Sequence, residues 1–323
     1  MVNFMSKLKS YFFANKRTRR IMNVPVPVQL GIYIERGEEL VEELNQALSP
    51  HFLERMKYRF LQEHPNWQPY EFDWAFFELK RYFVMNKILK SVPMFSKEVD
   101  EVWHEMLMFT RDYEQFSKQF YHDMLHHTPN LDSKPIPGER GFFDWVYLSL
   151  FESTPNSRVL WGGFLKYPIS QSILEDFKTL SEEELLNLYF RHNGEWMDLK
   201  RSLIKKMKLQ IEESEQIEGE KPFATKKTQS EAEVYQYALL PAVYFSLFYE
   251  NEYEKVMHDA MPGEYYKATQ YNSGSSCSGF ACYVDSDSKH SGHHGDWGDS
   301  GGSDNSGDSS CSSCSSCGGG CSS

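Results

Sequence analysis

The sequence predicts an all-α protein: a bundle-like body of many helices followed by a disordered C-terminal tail rich in Ser, Gly and Cys. Three observations support this fold class. Apolar residues recur at helical spacing in successive segments, Ser, Thr and Pro mark the starts of those segments, and sustained alternation of apolar and polar residues is missing. Aromatic residues make up 15% of the chain, which is enough for a sizeable core.

The first elements follow from local signals. Residues 24–28 alternate Val and Pro and are expected to be extended, because each Pro fixes its own φ and disfavours helix in the residue before it. Helices are then predicted from Gly37 to Leu48, over 49–64 and from Pro69 to about Val92. Ser49 and Pro50 supply a cap and a first-turn proline for the second of these helices.

Ser96 and Thr110 are predicted caps of two further helices, the second of which ends at residues 126–129. Ser181 and Glu184 fit a capping box, in which the two side chains satisfy each other's end-of-helix donors. The remaining helical patterns cover about 141–152, 170–178, 181–192, 194–217 and 230–258.

Composition divides the chain into four regions. Residues 1–20 form a basic N-terminal arm with six Lys or Arg and no acid. Residues 21–134 and 135–271 form two helical regions, of which the second packs on the first. Residues 272–323 form a low-complexity tail, which cannot bury enough apolar surface to offset its ordering entropy and is therefore predicted to be disordered.

Charge and hydropathy limit the expected partners. The net charge is −12, so we expect no nucleic-acid partner, because phosphate binding needs clustered Lys and Arg. The most apolar stretch, 237–249, is shorter than the roughly 20 residues needed to span a bilayer, and it contains Pro241, so we interpret it as a buried helix. The arm 1–20 is either a solvated or docked segment, or a weak contact with a membrane surface.

Every Cys lies in the tail, so the body has no disulfide framework, and the N-terminus lacks the apolar core of a signal peptide. We therefore expect a cytoplasmic protein. Nucleotide-binding, nucleophile-elbow and HExxH motifs are missing, and the body offers no nucleophilic Cys. The sequence thus favours a binding protein over an enzyme.

Three motifs carry a family resemblance: V-D-E-V-W-H-E over 99–105, F-T-R-D-Y over 109–113 and H-H-T-P over 126–129. Together they resemble the glycine-rich-domain-containing protein-like family, whose pattern is V-D-x-x-W-H followed by Tyr and H-H-x-P. The resemblance covers roughly residues 69–130 and implies a helical domain without implying an activity. Met106 and Ser117 stand where many members have His and Cys, so a site that needed either ligand would be incomplete here.

A metal site is one hypothesis for the residues of these motifs. Imidazole and carboxylate groups suit Zn²⁺ or a non-haem metal, and residues four apart share a helix face. In a simple helical hairpin turning at Thr110, however, His104 and His126 would lie about 15 Å apart. The alternative is structural, with His126 and His127 meeting free carbonyls at a helix C-terminus. The candidate ligands are Asp100, His104, His122, His126 and His127.

The tail offers a second set of candidate ligands. Its thiols have the spacing of a bacterial iron–sulfur run without the closing Pro, but no second run and no apolar shell accompany them. A mononuclear thiolate site for Zn²⁺ or Cu(I) is the better hypothesis, and free thiols on a solubilising tail are the alternative. The candidates are Cys311, Cys314, Cys317 and Cys321, with His290, His293 and His294 nearby.

Two functions are therefore expected. The first is a helical binding or scaffold protein that presents its surface to an unidentified protein partner and carries a flexible tail. The second is a metal-binding protein, with Zn²⁺ as the first candidate ion, that uses the His and Asp residues of the helical motif or the Cys-rich tail. A metal-dependent enzyme is one form of this second function.

Overall fold

Helices carry almost all of the regular structure, which confirms the all-α fold class. A computed structural model describes residues 21–128, 137–192, 194–217, 223, 231–260 and 280–283. In these ranges the helices are α1 (Gly37–Ala47), α2 (Pro50–Glu63), α3 (Pro69–Ile88), α4 (Lys97–Met108), α5 (Thr110–Tyr121), α6 (Pro137–Leu150), α7 (Pro155–Trp161), α8 (Gln171–Thr179), α9 (Glu182–Tyr189), α10 (Met197–Glu215), α11 (Glu231–Phe248) and α12 (Tyr253–Ala260). Single 3₁₀ turns occupy Val28–Gly31 and Glu250–Glu252.

Four helices start at predicted signals. The prediction that Thr110 caps a helix is wrong, because Thr110 is the first residue of α5 and Phe109 occupies the cap position. The Ser96 hydroxyl accepts a hydrogen bond from the Val99 amide at the start of α4, and Ser181 forms its capping box with Glu184. Pro50 and Pro69 lie in the first turns of α2 and α3. Local chemistry therefore determines where these helices begin.

Two predictions of helix extent are wrong, and one helix was not predicted. α5 ends at Tyr121 instead of at residues 126–129, because His122 takes a left-handed conformation, φ 61°, and stops the helix. The helix predicted over 230–258 is divided into α11 and α12 by the turn at Glu250–Glu252. The capped helix α7 was not predicted at all; Thr154 caps it, and a proline lies in its first turn.

The central helix α3 is buried on every side, with 15 of its 20 residues inside the protein. It packs against α4, α7 and α1. One hydrophobic core extends from Leu40 in α1 to Tyr253 in α12, so the helices of 21–134 and of 135–271 enclose the same interior. The described residues begin at Ile21, so the prediction for the arm 1–20 lies outside them.

The burial of α3 also buries its charged side chains, and these form hydrogen bonds with groups of other elements. Glu78 accepts hydrogen bonds from Ser157 Oγ (2.6 Å), Tyr147 Oη (2.6 Å) and Trp161 Nε1 (2.8 Å). Arg81 donates to the Leu30 carbonyl and to Tyr147 Oη. These bonds tie α3 to α6 and α7, because an unpaired buried charge would be costly.

Three short strands form a small antiparallel sheet in the order β1 (Val92–Met94), β3 (Phe280–Tyr283), β2 (His126–Thr128). The middle strand comes from the region predicted to be disordered, so that prediction is wrong for residues 280–283. The predictions for the rest of 272–323 lie outside the described residues. All of the described residues belong to one compact unit.

The described helices include none that joins sufficient length to sufficient apolar character to cross a lipid bilayer. The apolar stretch around Pro241 lies inside α11, where Ala242 and Val243 belong to the core. This agrees with its interpretation as a buried helix.

Candidate metal centre

Helix α4 supplies the first two side chains of the site. Ser96 sets the start of the helix, so Asp100 and His104 lie one turn apart on the same face. The Asp100 side chain is buried, whereas that of His104 is about half exposed (48%). Asp100 Oδ2 lies 3.4 Å from His104 Nδ1. The site therefore opens to solvent on the His104 side.

The third side chain, His127, arrives from β2 through a turn that two side chains of α5 fix. The Ser117 hydroxyl donates to the Asp123 carbonyl (3.0 Å) and accepts from the Leu125 amide. Tyr113 Oη donates to the Leu125 carbonyl at 2.7 Å. These bonds hold the chain close to α5 after that helix has ended, and they direct β2 back towards α4.

Trp103 forms the floor beneath His127. Its fully buried indole lies with its ring centroid 4.4 Å from the His127 ring, and its Nε1 donates to Tyr113 Oη at 3.1 Å. Tyr82 and Phe83 of α3 pack against the same indole. The imidazole of His127, whose side chain is only 2% exposed, is therefore held between the core and Asp100.

Asp100, His104 and His127 converge in space. Their candidate ligand atoms all lie within 4.8 Å of one another, and the two imidazole centroids are 4.6 Å apart. Asp100 Oδ1 lies 2.8 Å from His127 Nε2. Bonds of about 2.1 Å around a tetrahedral Zn²⁺ separate ligand atoms by about 3.4 Å, so side-chain adjustments of about 1 Å would suffice to hold an ion.

The electrostatics of the site favour the ligand form of His104. Burial lowers the pKa of His104, the Asp100 carboxylate opposes that shift, and the neighbouring His127 adds to it. The net pKa is below its ordinary value, so the neutral imidazole persists at lower pH than it would in water. Metal coordination requires this neutral form.

The other two histidines of the predicted set lie apart from this cluster. His122, at the end of α5, directs Nε2 to Glu195 Oε1 at 2.7 Å, and Glu195 also pairs with the buried Lys87. His126 is exposed, as expected from the alternation of side chains along a strand. The expectation that His126 and His127 cap a helix C-terminus is wrong, because α5 ends at Tyr121.

A signal in the sequence could have indicated this break. Thr128 precedes Pro129, and a residue before proline avoids the helical region, so a helix extending through 126–128 was disfavoured. The tail candidates lie outside the described residues; they are Cys311, Cys314, Cys317, Cys321, His290, His293 and His294.

Residues 38–135 match a family model described as UCP032817-like. This range contains α4, α5 and β2, and with them Asp100, His104 and His127. No curated protein matches the chain. No solved structure matches it either.

Proposed function

We propose that this protein binds a divalent transition-metal ion through Asp100, His104 and His127. The proposal rests on one observation, the convergence of three ligand atoms from two separate elements within 4.8 Å. Asp100 and His104 share a helix, but His127 reaches them only because the chain turns back after α5.

The donor set indicates which ions fit. Two imidazoles and one carboxylate suit Zn²⁺, and the same set with open positions suits non-haem Fe²⁺. The buried Asp100 would contribute the negative charge, and the exposed edge of His104 would leave the ion accessible from solvent. Zn²⁺ is the first ion to test because all three groups are among its common protein ligands.

The experiment uses the full chain with Cys311, Cys314, Cys317 and Cys321 replaced by Ser, so that the tail thiols cannot bind the ion. Zn²⁺ is titrated by calorimetry, and Fe²⁺ is titrated under anaerobic conditions. We expect one ion per chain. We expect His104→Ala to weaken binding at least about tenfold, since even indirect partners of a metal contribute 10–100-fold.

His126→Ala is the matched control, because His126 is an exposed neighbour of His127 outside the cluster. It should bind Zn²⁺ with the parent's affinity. Equal affinity of the His104→Ala variant and the parent would rule out the proposed site. Zn²⁺ binding that disappears only when the four thiols are replaced would assign the metal to the tail instead.

A second candidate, a scaffold that recruits a protein partner, is favoured by a different observation. Residues 22–28 are exposed except for the partly buried Pro27, and Val28 is the most exposed of its valines at 85%. Pro27 has polyproline-type angles (φ −61°, ψ 145°). Exposed extended segments with proline dock in aromatic-lined grooves of small domains. The full chain and its Val28→Asp variant are tested against a panel of purified domains of this kind. At least one domain should bind the full chain more tightly than it binds the variant. Binding by none of the domains would reject this function.

The proposal also covers the cellular location of the protein and its contact with membranes. We infer that the protein acts in the cytoplasm, because no Cys precedes residue 277, so the helical body has no disulfide framework. The basic arm 1–20 would add at most a weak attraction to anionic lipid, which liposome sedimentation should show only at low salt because such attraction is screened. The resemblance to the glycine-rich-domain-containing protein-like family supports a helical body of this kind.

A further inference from the structure

A buried lysine lies between two carboxylates, close to the turn that leads to His127. Lys87, near the C-terminus of α3, is fully buried, and its Nζ lies 3.0 Å from Glu43 Oε1 and 2.8 Å from Glu195 Oε2. The same ammonium donates to the Phe120 carbonyl in the last turn of α5. Lys87 therefore joins α1, α3, α5 and the segment before α10, and the two carboxylates offset the cost of burying its charge.

Glu195 has a second partner, His122. Glu195 Oε1 lies 2.7 Å from His122 Nε2, and the imidazole is the donor because a carboxylate only accepts. His122 is the first residue after α5 and has a positive φ of 61°, a conformation that is disfavoured by a factor of about five or more in a residue other than glycine. The bond to Glu195 therefore helps to hold His122 in the conformation that ends α5.

Glu195 comes from the second helical region, in the segment between α9 and α10. Two backbone hydrogen bonds of 3.0 Å hold this segment against the end of α3, from the Lys90 amide to the Tyr189 carbonyl and from the Arg191 amide to the Ile88 carbonyl. The segment lies outside the range that matches the family model. Contacts from outside that range thus reach the turn that carries a ligand of the candidate metal centre.

We propose that Glu195 is a positioning residue of the candidate metal centre and acts through His122. Its bond to this imidazole fixes the first residue of the turn that brings His127 to the two ligands of α4, while the Ser117 hydroxyl fixes the later residues of the same turn. Glu195 is not a member of the ligand cluster, so it acts on the metal through the geometry of the turn. The inference rests on the proposed metal binding and adds to it a contribution from the second helical region.

Calorimetry with Zn²⁺ tests the proposal on a matched pair of variants. The parent is again the full chain with the four tail thiols replaced by Ser. Glu195→Ala and Glu43→Ala each remove one of the two carboxylates of Lys87, and the two side chains are similarly exposed, at 31% and 33%. Both variants should lose similar stability in urea and remain folded by circular dichroism. Glu195→Ala should weaken Zn²⁺ binding at least about fivefold, whereas Glu43→Ala should keep the parent's affinity.

Two substitutions of His122 separate the role of its imidazole from that of its backbone. His122→Ala removes the bond to Glu195 but keeps the disfavoured φ, so it should weaken Zn²⁺ binding as much as Glu195→Ala does. Combining the two substitutions should weaken binding no further, because both remove the same bond, and a merely structural role of Glu195 would not produce this result. His122→Gly should bind Zn²⁺ more tightly than His122→Ala, because glycine adopts a positive φ without a steric cost.

Other outcomes separate the two proposals. If Glu195→Ala and Glu43→Ala both keep the parent's affinity, or both lose it equally, while His104→Ala weakens binding, Glu195 is not a positioning residue and the metal site stands without it. Additive losses in the double variant of Glu195→Ala and His122→Ala would also overturn the inference, because the two side chains would then act separately. If the parent binds no Zn²⁺, both proposals fail.

Discussion

The buried carboxylate of Glu78 should be essential to the stability of the whole helical body. Glu78→Gln keeps the size of the side chain but removes its charge and converts one oxygen into an NH₂ donor. Each oxygen now accepts two bonds: Oε1 faces Ser157 and Arg81, and Oε2 faces Tyr147 and Trp161. In either amide orientation the new NH₂ group would therefore face one side chain that can only donate, Arg81 or Trp161, and one hydroxyl that would have to turn in order to accept.

The magnitude follows from these contacts. A buried donor without a partner costs about 1–3 kcal/mol, and breaking a buried ion pair costs about 3–5 kcal/mol. Arg81 keeps its bonds to Leu30 and Tyr147, which limits the cost of losing its charged partner. We therefore expect a loss of about 4 kcal/mol in the free energy of unfolding. For a body of this size that loss corresponds to a decrease of roughly 8–16 °C in Tm.

Urea unfolding followed by Trp fluorescence and circular dichroism measures this loss. The midpoint should decrease with the m-value unchanged, and both probes should report one transition because Glu78 joins helices of the two sequence regions. Glu54→Gln, an exposed change on α2, is the control and should have no effect. A loss below about 1 kcal/mol for Glu78→Gln would refute this reasoning about the buried network.

Three further predictions concern the site and the core. Trp103→Phe should lower the free energy of unfolding by about 2 kcal/mol in urea titrations, because it removes the bond to Tyr113 and leaves a void; an unchanged midpoint would contradict this. Ser117→Ala touches none of the proposed ligands, yet it should weaken Zn²⁺ binding about tenfold in calorimetry, because its hydroxyl fixes the turn before His127; the parent's affinity in this variant would disprove the role. Burial raises the pKa of Asp144 to about 6, so its ionisation destabilises the folded state above that pH, and protonation relieves the cost between about pH 6 and the ordinary value near 4. Lowering the pH from 7 to 5 should therefore stabilise the wild type relative to Asp144→Asn by about 1 kcal/mol in paired urea titrations, and parallel pH profiles would refute the shift.

The sequence predicts those features that local chemistry determines. The starts of α4 and α9 follow from Ser96 and Ser181, because a cap needs only residues within one turn. The pairing of Asp100 with His104 follows from the four-residue spacing on one helix. Two of the three side chains of the candidate site were thus predictable from spacing alone.

The rest depends on contacts between residues that no local rule connects. His127 reaches the site because Tyr113 and Ser117 form hydrogen bonds to the chain after α5. The spacing of the histidines in the sequence does not indicate those bonds. Strand β3 pairs with two strands that lie far from it in the sequence. Its Ser- and Gly-rich surroundings indicate disorder, although the F-A-C-Y segment itself is apolar enough for a strand.

The place of β3 between β1 and β2 has a consequence for biosynthesis. During translation, both outer strands are synthesised long before residues 280–283. Until then the nascent chain has two unpaired strand edges exposed. Edges of this kind attract one another between chains. Chains that stop short of residue 280 should therefore self-associate more readily during translation than chains that are completed.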